Sequence, residues 1–183
     1  MNVLELLYSG SMTLKQNKIG THQLDSELVL SNVLKKRREN LLINLNEEVS
    51  KNTVNDFEKL IFRRANKEPL AYIFNKKEFW SNDFFVDRST LIPRPETELL
   101  CESVIKIFKN KNLHILDMGT GTGCIILSII SEIKGAKGIG VDISRKAITV
   151  AKKNSHQFNL NKRVKFVNKS LEDVHGYKFD LIV

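Results

Sequence analysis

The stretch that decides the fold is Ile115 to Gly123, ILDMGTGTG. Four alternating or apolar residues of strand character run into three glycines at spacing G-x-G-x-G, and the apolar run CIILSIISEIK (124–134) of helical length follows. A strand, a glycine turn and a helix in that order form the opening of a nucleoside-binding α/β unit. Glycines are required because the turn is tight and a ligand must approach bare backbone. A glycine triplet alone is satisfied equally well by a structural turn, so the surroundings carry the reading.

Downstream, KGIGVD (137–142), VKFVN (164–168) and FDLIV (179–183) are strand-like, and SRKAITVAKKN (144–154) is helical. Alternation of strand and helix predicts a parallel sheet. The helix from Cys124 is apolar nearly all round, as burial against a sheet requires. Asp142 ends the second strand, at the distance from the glycines where a carboxylate accepts hydrogen bonds from both ribose hydroxyls of an adenosine cofactor. Asp117 lies two residues before Gly119. A carboxylate there opposes a pyrophosphate but suits a ligand with a cationic amino group and a sulfonium, which favours S-adenosylmethionine over a dinucleotide. Asp117 can also orient the loop through backbone hydrogen bonds, and the two roles are compatible.

Upstream the pattern is helical. Leu24 with Leu28, Val29 with Val33, Leu30 with Leu34, and then Phe57, Leu60, Ile61 and Ala65 predict short amphipathic helices in a bundle. Thr53 followed by Asp56 predicts a capping-box-like start for the last of them. From Pro69 the runs become β-branched and aromatic: Ala71–Phe74 and Phe79–Val86, separated by polar Asn75–Glu78, predict a β-hairpin between two domains. The expected organisation is a helical domain over 1–70, a hairpin and interdomain loop over 71–95, and a cofactor-binding domain over 96–183. The expected fold class is α/β: a small helical bundle and hairpin linker, then a Rossmann-like parallel sheet.

The 183 residues carry 42% hydrophobic content, ample for a core, and a formal charge of +8. No run of about 18 apolar residues could span a bilayer and no signal peptide is legible, so the reading is cytoplasmic. The basic runs Lys35–Arg38 and Lys109–Lys111 lie near helix ends, where they read as solvated cations rather than a surface for direct nucleic-acid binding. Cys101 and Cys124 lack the clustering of a zinc site and read as reduced core thiols. His22, His114, His156 and His175 have no spacing that suggests a metal or a dyad, and no metal is expected.

Beyond these readings, LDSELVLSNVL, RRANKEPLAYI, EFWSNDFFVD and LIPRPETELL resemble the helical domain, hairpin and interdomain loop of the release-factor glutamine methyltransferases, the HemK/PrmC family. ILDMGTGTGCI and GVDISRKAITVAKKN resemble that family's cofactor motifs, and IPRPETE (92–98) is the most discriminating segment. The related ribosomal-protein glutamine methyltransferases share the cofactor half but differ after the Ile-Pro-Arg of this loop.

The resemblance implies methyl transfer to the side-chain amide of the glutamine in the Gly-Gly-Gln motif of bacterial class 1 peptide chain release factors, in translation termination. It implies cofactor contacts from Gly119, Thr120, Gly121, Thr122, Gly123 and Asp142, with Ser170 in addition, and a substrate-side role for Arg94, Pro95 and Glu96 in the loop that borders the family's active site. Pro93 and Pro95 can also simply hold an extended linker, and Glu96 with Glu98 favour the next helix N-terminus. Phe79 and Trp80 read as hairpin core. Two departures stand out: Lys169 and Ser170 replace the family's acidic and apolar pair near the third strand's end, and Asn75 replaces a hairpin glycine, a change asparagine tolerates.

The family's Asn-Pro-Pro-Tyr motif would start just past Val183, so no catalytic residue is assigned. The sheet is expected to be cut after its fourth strand, and the chain by itself is expected not to transfer methyl. The competing readings are a ribosomal-protein glutamine or nucleic-acid amino-methyltransferase, and a truncated, non-catalytic binding chain. Some relatives of the family carry a fused tRNA guanine methyltransferase domain, about which these residues are silent.

Overall fold

The computed structural model describes every residue except Asn110, Leu171, Asp173, His175 and Tyr177; the expectation for His175 therefore lies outside the described residues. The chain divides into two compact units, Met1–Phe74 and Asn75–Val183.

The first unit is helical: α1 (Val3–Gln16), α2 (His22–Leu34), α3 (Arg38–Ile43), α4 (Lys51–Ala65) and α5 (Leu70–Phe74). Helix α1 opens with a reciprocal capping box, Asn2 accepting from the Glu5 amide while the Glu5 carboxylate accepts from the Asn2 amide. Helix α4 is capped by Ser50, whose hydroxyl accepts from the Thr53 amide at 3.1 Å. Thr53 is thus the third helical residue and not the cap expected from Thr53 and Asp56; the helix starts one turn earlier. Leu6, Leu14, Leu30, Leu41 and Phe57 fill the core.

The apolar stripe on α2 is interrupted. Leu24 is exposed, whereas Asp25 and Ser26 are buried. Asp25 accepts from Arg64 Nε at 2.6 Å, and the Ser26 hydroxyl donates to the Leu7 carbonyl at 2.9 Å. Gly10 on α1 makes this approach feasible, since a Cβ there would stand 2.5 Å from the Phe57 ring and 2.7 Å from Ser26 Oγ. Gly10→Ala is expected to lower the stability of the helical unit by about 1–3 kcal/mol through overpacking, read as a shifted denaturation midpoint. An unchanged midpoint would show that Phe57 has room to move.

Ala71–Phe74, expected as a strand, is the helix α5, started by Pro69, whose carbonyl accepts from the Tyr72 and Ile73 amides. The hairpin comes later, as β1 (Lys77–Phe79) and β2 (Asn82–Phe84). Its turn is Trp80–Ser81, both at positive φ (51° and 54°), the primed geometry that matches strand twist. A rule that asks for glycine or asparagine at such positions misses this turn, because neither residue is present. Asn75, at φ 52°, does adopt the left-handed conformation expected of it, and its amide donates to the Val86 carbonyl.

A 3-10 turn (Pro95–Thr97) leads into α6 (Glu98–Phe108). There follow β3 (His114–Met118), α7 (Cys124–Glu132), β4 (Lys137–Asp142), α8 (Arg145–Gln157), β5 (Val164–Asn168) and β6 (Leu181–Ile182). The four strands β3 to β6 form a parallel sheet in the order β5-β4-β3-β6. FDLIV forms a shorter strand than expected, although Asp180 and Val183 also exchange backbone hydrogen bonds with β3 and its flank. Ile126, Leu127, Ile129 and Ile130 of α7 pack with Ile115, Phe166, Phe79 and Phe84 in one core. Cys101 and Cys124 are buried free thiols there, and burial pushes them up to about 12 and about 11. Among the described residues, no helix is long and apolar enough to cross a membrane.

Candidate cofactor site

Strand β3 has β4 on one side and, on the other, β6, which the chain reaches by crossing back from β5, so the strand order reverses beside β3. Such a switch point leaves a crevice where α/β sheets bind ligands. The glycine loop occupies it. Gly119, Gly121 and Gly123 all have positive φ, at 69°, 54° and 78°. A Cβ on Gly119 would meet nothing within 4 Å and one on Gly121 only the Gly119 carbonyl at 3.8 Å, so the loop faces open space. Gly123 is different: a Cβ would press on Leu127 and Phe166 at 3.0 Å, which ties the start of α7 to the sheet.

The loop's polar groups are mostly committed inward. The Thr120 amide donates to the Val141 carbonyl, the Gly121 amide to Asp142 Oδ2 at 3.0 Å, the Gly123 amide to the Thr120 carbonyl, and the Cys124 amide to the Thr122 hydroxyl. The Thr120 hydroxyl donates to Asp117 Oδ2 at 2.6 Å. Thr120 and Thr122 are both buried within this network. A phosphate nest needs amides pointing outward; here several are spent within the fold, and two carboxylates stand behind them.

Asp142, expected as a ribose ligand alone, also builds the site. One oxygen takes the Gly121 amide and the other takes the Ser144 amide at 2.8 Å. A carboxylate has about four acceptor positions, so lone pairs remain for two hydroxyls. Asp117 is 2% exposed. Burial pushes its carboxyl up to about 6, against the hydrogen bond from Thr120, and the nearby Asp142 charge adds to the rise. A carboxyl raised on folding stabilises the fold below its unfolded value, and that contribution is lost as pH rises through about 6.

Three residues at this corner were not read from the sequence. Asn168 donates to the carbonyls of Asp142 and Ile143, at 2.9 and 2.8 Å, holding the end of β4. Ile143 is 81% exposed directly beside the acidic residue. An apolar residue following a strand-terminal acid was the available signal. The third, Asn154 of α8, is buried against the loop. Ser170 is half-buried beyond β5, where the Lys169 amide reaches the Asp142 carbonyl.

Arg94, Pro95 and Glu96 are exposed at the 3-10 turn. Among the described residues neither Arg94 nor Glu96 has an ion pair, and the structure brings none of the three into hydrogen-bond contact with the glycine loop. Glu98 opens α6 as expected, and its carboxylate also accepts from the Trp80 amide at 2.8 Å. Phe79 is buried edge-to-face on Phe84, and the half-buried Trp80 indole donates to Glu132. Among the described residues no cluster of three or more histidine, cysteine or acidic side chains could hold a metal.

Comparison with known proteins decides the family. Residues 5–74 match the PrmC N-terminal domain and residues 109–183 match a methyltransferase domain. The chain belongs to the PrmC family of methyltransferases. It is 39% identical to the release factor glutamine methyltransferase of Buchnera aphidicola subsp. Baizongia pistaciae, over 100% of this chain and 66% of that one. It is equally 39% identical to the bifunctional methyltransferase of Rickettsia prowazekii, over 92% of this chain and 37% of that one. A solved ribosomal protein L11 methylase from Lactobacillus delbrueckii subsp. bulgaricus aligns with TM-score 0.43 and 31% identity, over 53% of this chain and 49% of that one. The chain thus spans 37% to 66% of the length of the two curated relatives named. Its second unit is the first half of a Rossmann-like class I methyltransferase, with the S-adenosylmethionine dependence of that class.

Proposed function

We propose that this chain supplies the cofactor-binding half and the helical recognition domain of an enzyme that methylates the glutamine side-chain amide in the Gly-Gly-Gln motif of bacterial class 1 release factors. The observation that carries the cofactor part is the glycine loop itself, open above Gly119 and Gly121, with its amides turned inward and Asp117 and Asp142 at its base. That combination suits a cationic nucleoside and disfavours a pyrophosphate.

S-adenosylmethionine supplies an electrophilic methyl carbon on a sulfonium. The bare backbone of Gly119 and Gly121 admits the ligand against the loop. Asp142 accepts from the ribose hydroxyls with the lone pairs not used by Gly121 and Ser144. Ile143 offers an apolar face to the base, Ser170 lies beyond the same corner, and the Asp117 charge balances the ligand's positive end. Arg94, Pro95 and Glu96 act on the acceptor side, where their exposed side chains can meet a protein substrate. The 39% identity to a release factor glutamine methyltransferase and the match to the PrmC N-terminal domain support that choice of acceptor.

The test is to give an enzyme carrying the complete sheet labelled S-adenosylmethionine and a bacterial class 1 release factor. Label is expected on the glutamine amide, and none on a factor in which that glutamine is replaced. Label on a ribosomal protein or nucleic acid instead would refute the acceptor. Removing residues 1–74 from the same enzyme is expected to leave cofactor affinity within about twofold while release-factor methylation falls by at least ~100-fold, as loss of an acceptor-positioning surface would cause. Equal turnover would reduce the helical unit to a stabiliser.

A further inference from the structure

Asn154 lies on α8, twelve residues beyond Asp142, and is fully buried. Its amide is the meeting point of three segments. Nδ2 donates to the Thr122 carbonyl of the glycine loop at 2.9 Å and to the Phe85 carbonyl at 3.1 Å, while Oδ1 accepts from the Phe85 amide at 2.8 Å. Both hydrogens of the NH2 group are therefore used, and the side chain pairs with Phe85 as a neighbouring strand would. Helix α8 holds the same stretch at two further points: Gln157 donates to the Asp83 carbonyl at 2.7 Å, and the Lys153 ammonium stands 3.2 Å from the centre of the Phe85 ring.

Phe85 follows β2 and begins the segment that continues through buried Val86, Thr90 and Pro93 to Arg94, Pro95 and Glu96. Thr122 lies between Gly121, whose amide is held by Asp142, and Gly123, whose left-handed backbone starts α7. One side chain thus fixes both the cofactor loop and the start of the loop proposed to face the acceptor. Both donors of this buried amide are used in joining two loops that are not adjacent in the chain.

We infer that Asn154 is a positioning residue that holds the glycine loop and the Phe85–Glu96 segment in register, so that filling the cofactor site tightens the acceptor-side segment. This rests on the cofactor reading given above. Occupancy that orders the Thr122 carbonyl orders Nδ2, and through Oδ1 the Phe85 amide, because the planar amide moves as one body. The coupling is reciprocal: whatever orders Phe85 favours the loop.

The experiment uses the full 183-residue chain, S-adenosylmethionine, calorimetry and residue-resolved amide exchange. In the unaltered chain, ligand is expected to slow exchange of the Phe85 amide as well as that of Gly121 and Gly123. Failure of the unaltered chain to bind ligand at all would sink the cofactor reading; binding without any change at Phe85 would sink this inference alone. Asn154→Ala is expected to weaken binding about tenfold and to remove the ligand effect at Phe85. Uniformly faster exchange across the second unit with unchanged affinity would mean a merely structural role, and would overturn the proposal. Asn154→Asp, which keeps the shape and the acceptor but turns a carboxylate oxygen toward two carbonyls, serves if the alanine variant does not fold. It is expected to show the same loss of coupling, and retained coupling would count against the inference.

Discussion

Gly121→Val is expected to abolish S-adenosylmethionine binding while leaving the helical unit folded. Gly121 sits at φ 54°, a conformation that costs an L-residue about 1–2 kcal/mol and a β-branched one more. Space is not the obstacle, since only the Gly119 carbonyl lies within 4 Å of a Cβ there. The added side chain would instead fill the opening above the loop, where the ligand must lie against backbone. Relaxing the strained φ would also pull the Gly121 amide from Asp142. Titration calorimetry measures the first effect, and amide-exchange protection of α1, α2 and α4 measures the second. Normal binding by the valine variant would mean that the loop is a structural turn only.

Asp142→Asn is expected to be as damaging as Asp142→Ala, which is unusual for so conservative a change. Both carboxylate oxygens accept from backbone N–H groups, Gly121 on one and Ser144 on the other. An asparagine must therefore aim its NH2 at a donor whichever way it is turned. Loss of a charged acceptor costs about 1.5–3 kcal/mol, or roughly 10- to 150-fold in affinity. An asparagine variant that binds within twofold of the unaltered chain would show that neither backbone bond matters to the ligand.

The parallel sheet was legible because β3, β4 and β5 are short, largely apolar runs separated by helical or polar stretches, and their limits match HILDM, KGIGVD and VKFVN. The site's backbone was legible for the same reason: three glycines at that spacing demand positive φ. The region around the hairpin was not. Ala71–Phe74 has strand-like composition, but Pro69 presets a helical first turn and tertiary context prevails over propensity. Trp80 and Ser81 occupy left-handed positions that neither residue advertises. The Trp80 amide is satisfied by the Glu98 carboxylate and its indole by Glu132, both far away in sequence. Asn154 was invisible for a similar reason. Near the end of a basic helix it reads as a solvated polar residue, and only the fold reveals that its partners are Thr122 and Phe85. Asp142 was recognised for a ligand contact, while its work inside the protein depends on where Gly121 and Ser144 point their amides.

The most direct test of the central claim, that this loop binds a cationic nucleoside, is the pH dependence of S-adenosylmethionine affinity for the chain between about pH 5 and 7, below the range where an α-amino group near 7.7–8.0 loses its charge. Burial holds Asp117 near 6, so below that pH the free protein carries it protonated. A bound cation favours the charged carboxylate and draws its pKa down. Binding should then release a proton at the acid end of the range, seen as heat that varies with the buffer's ionisation enthalpy. Affinity should rise as pH rises through about 6, and Asp117→Asn should flatten the profile. Affinity that is flat or falls over the same range, or proton uptake in place of release, would contradict the assignment of Asp117 beside the ligand's positive end.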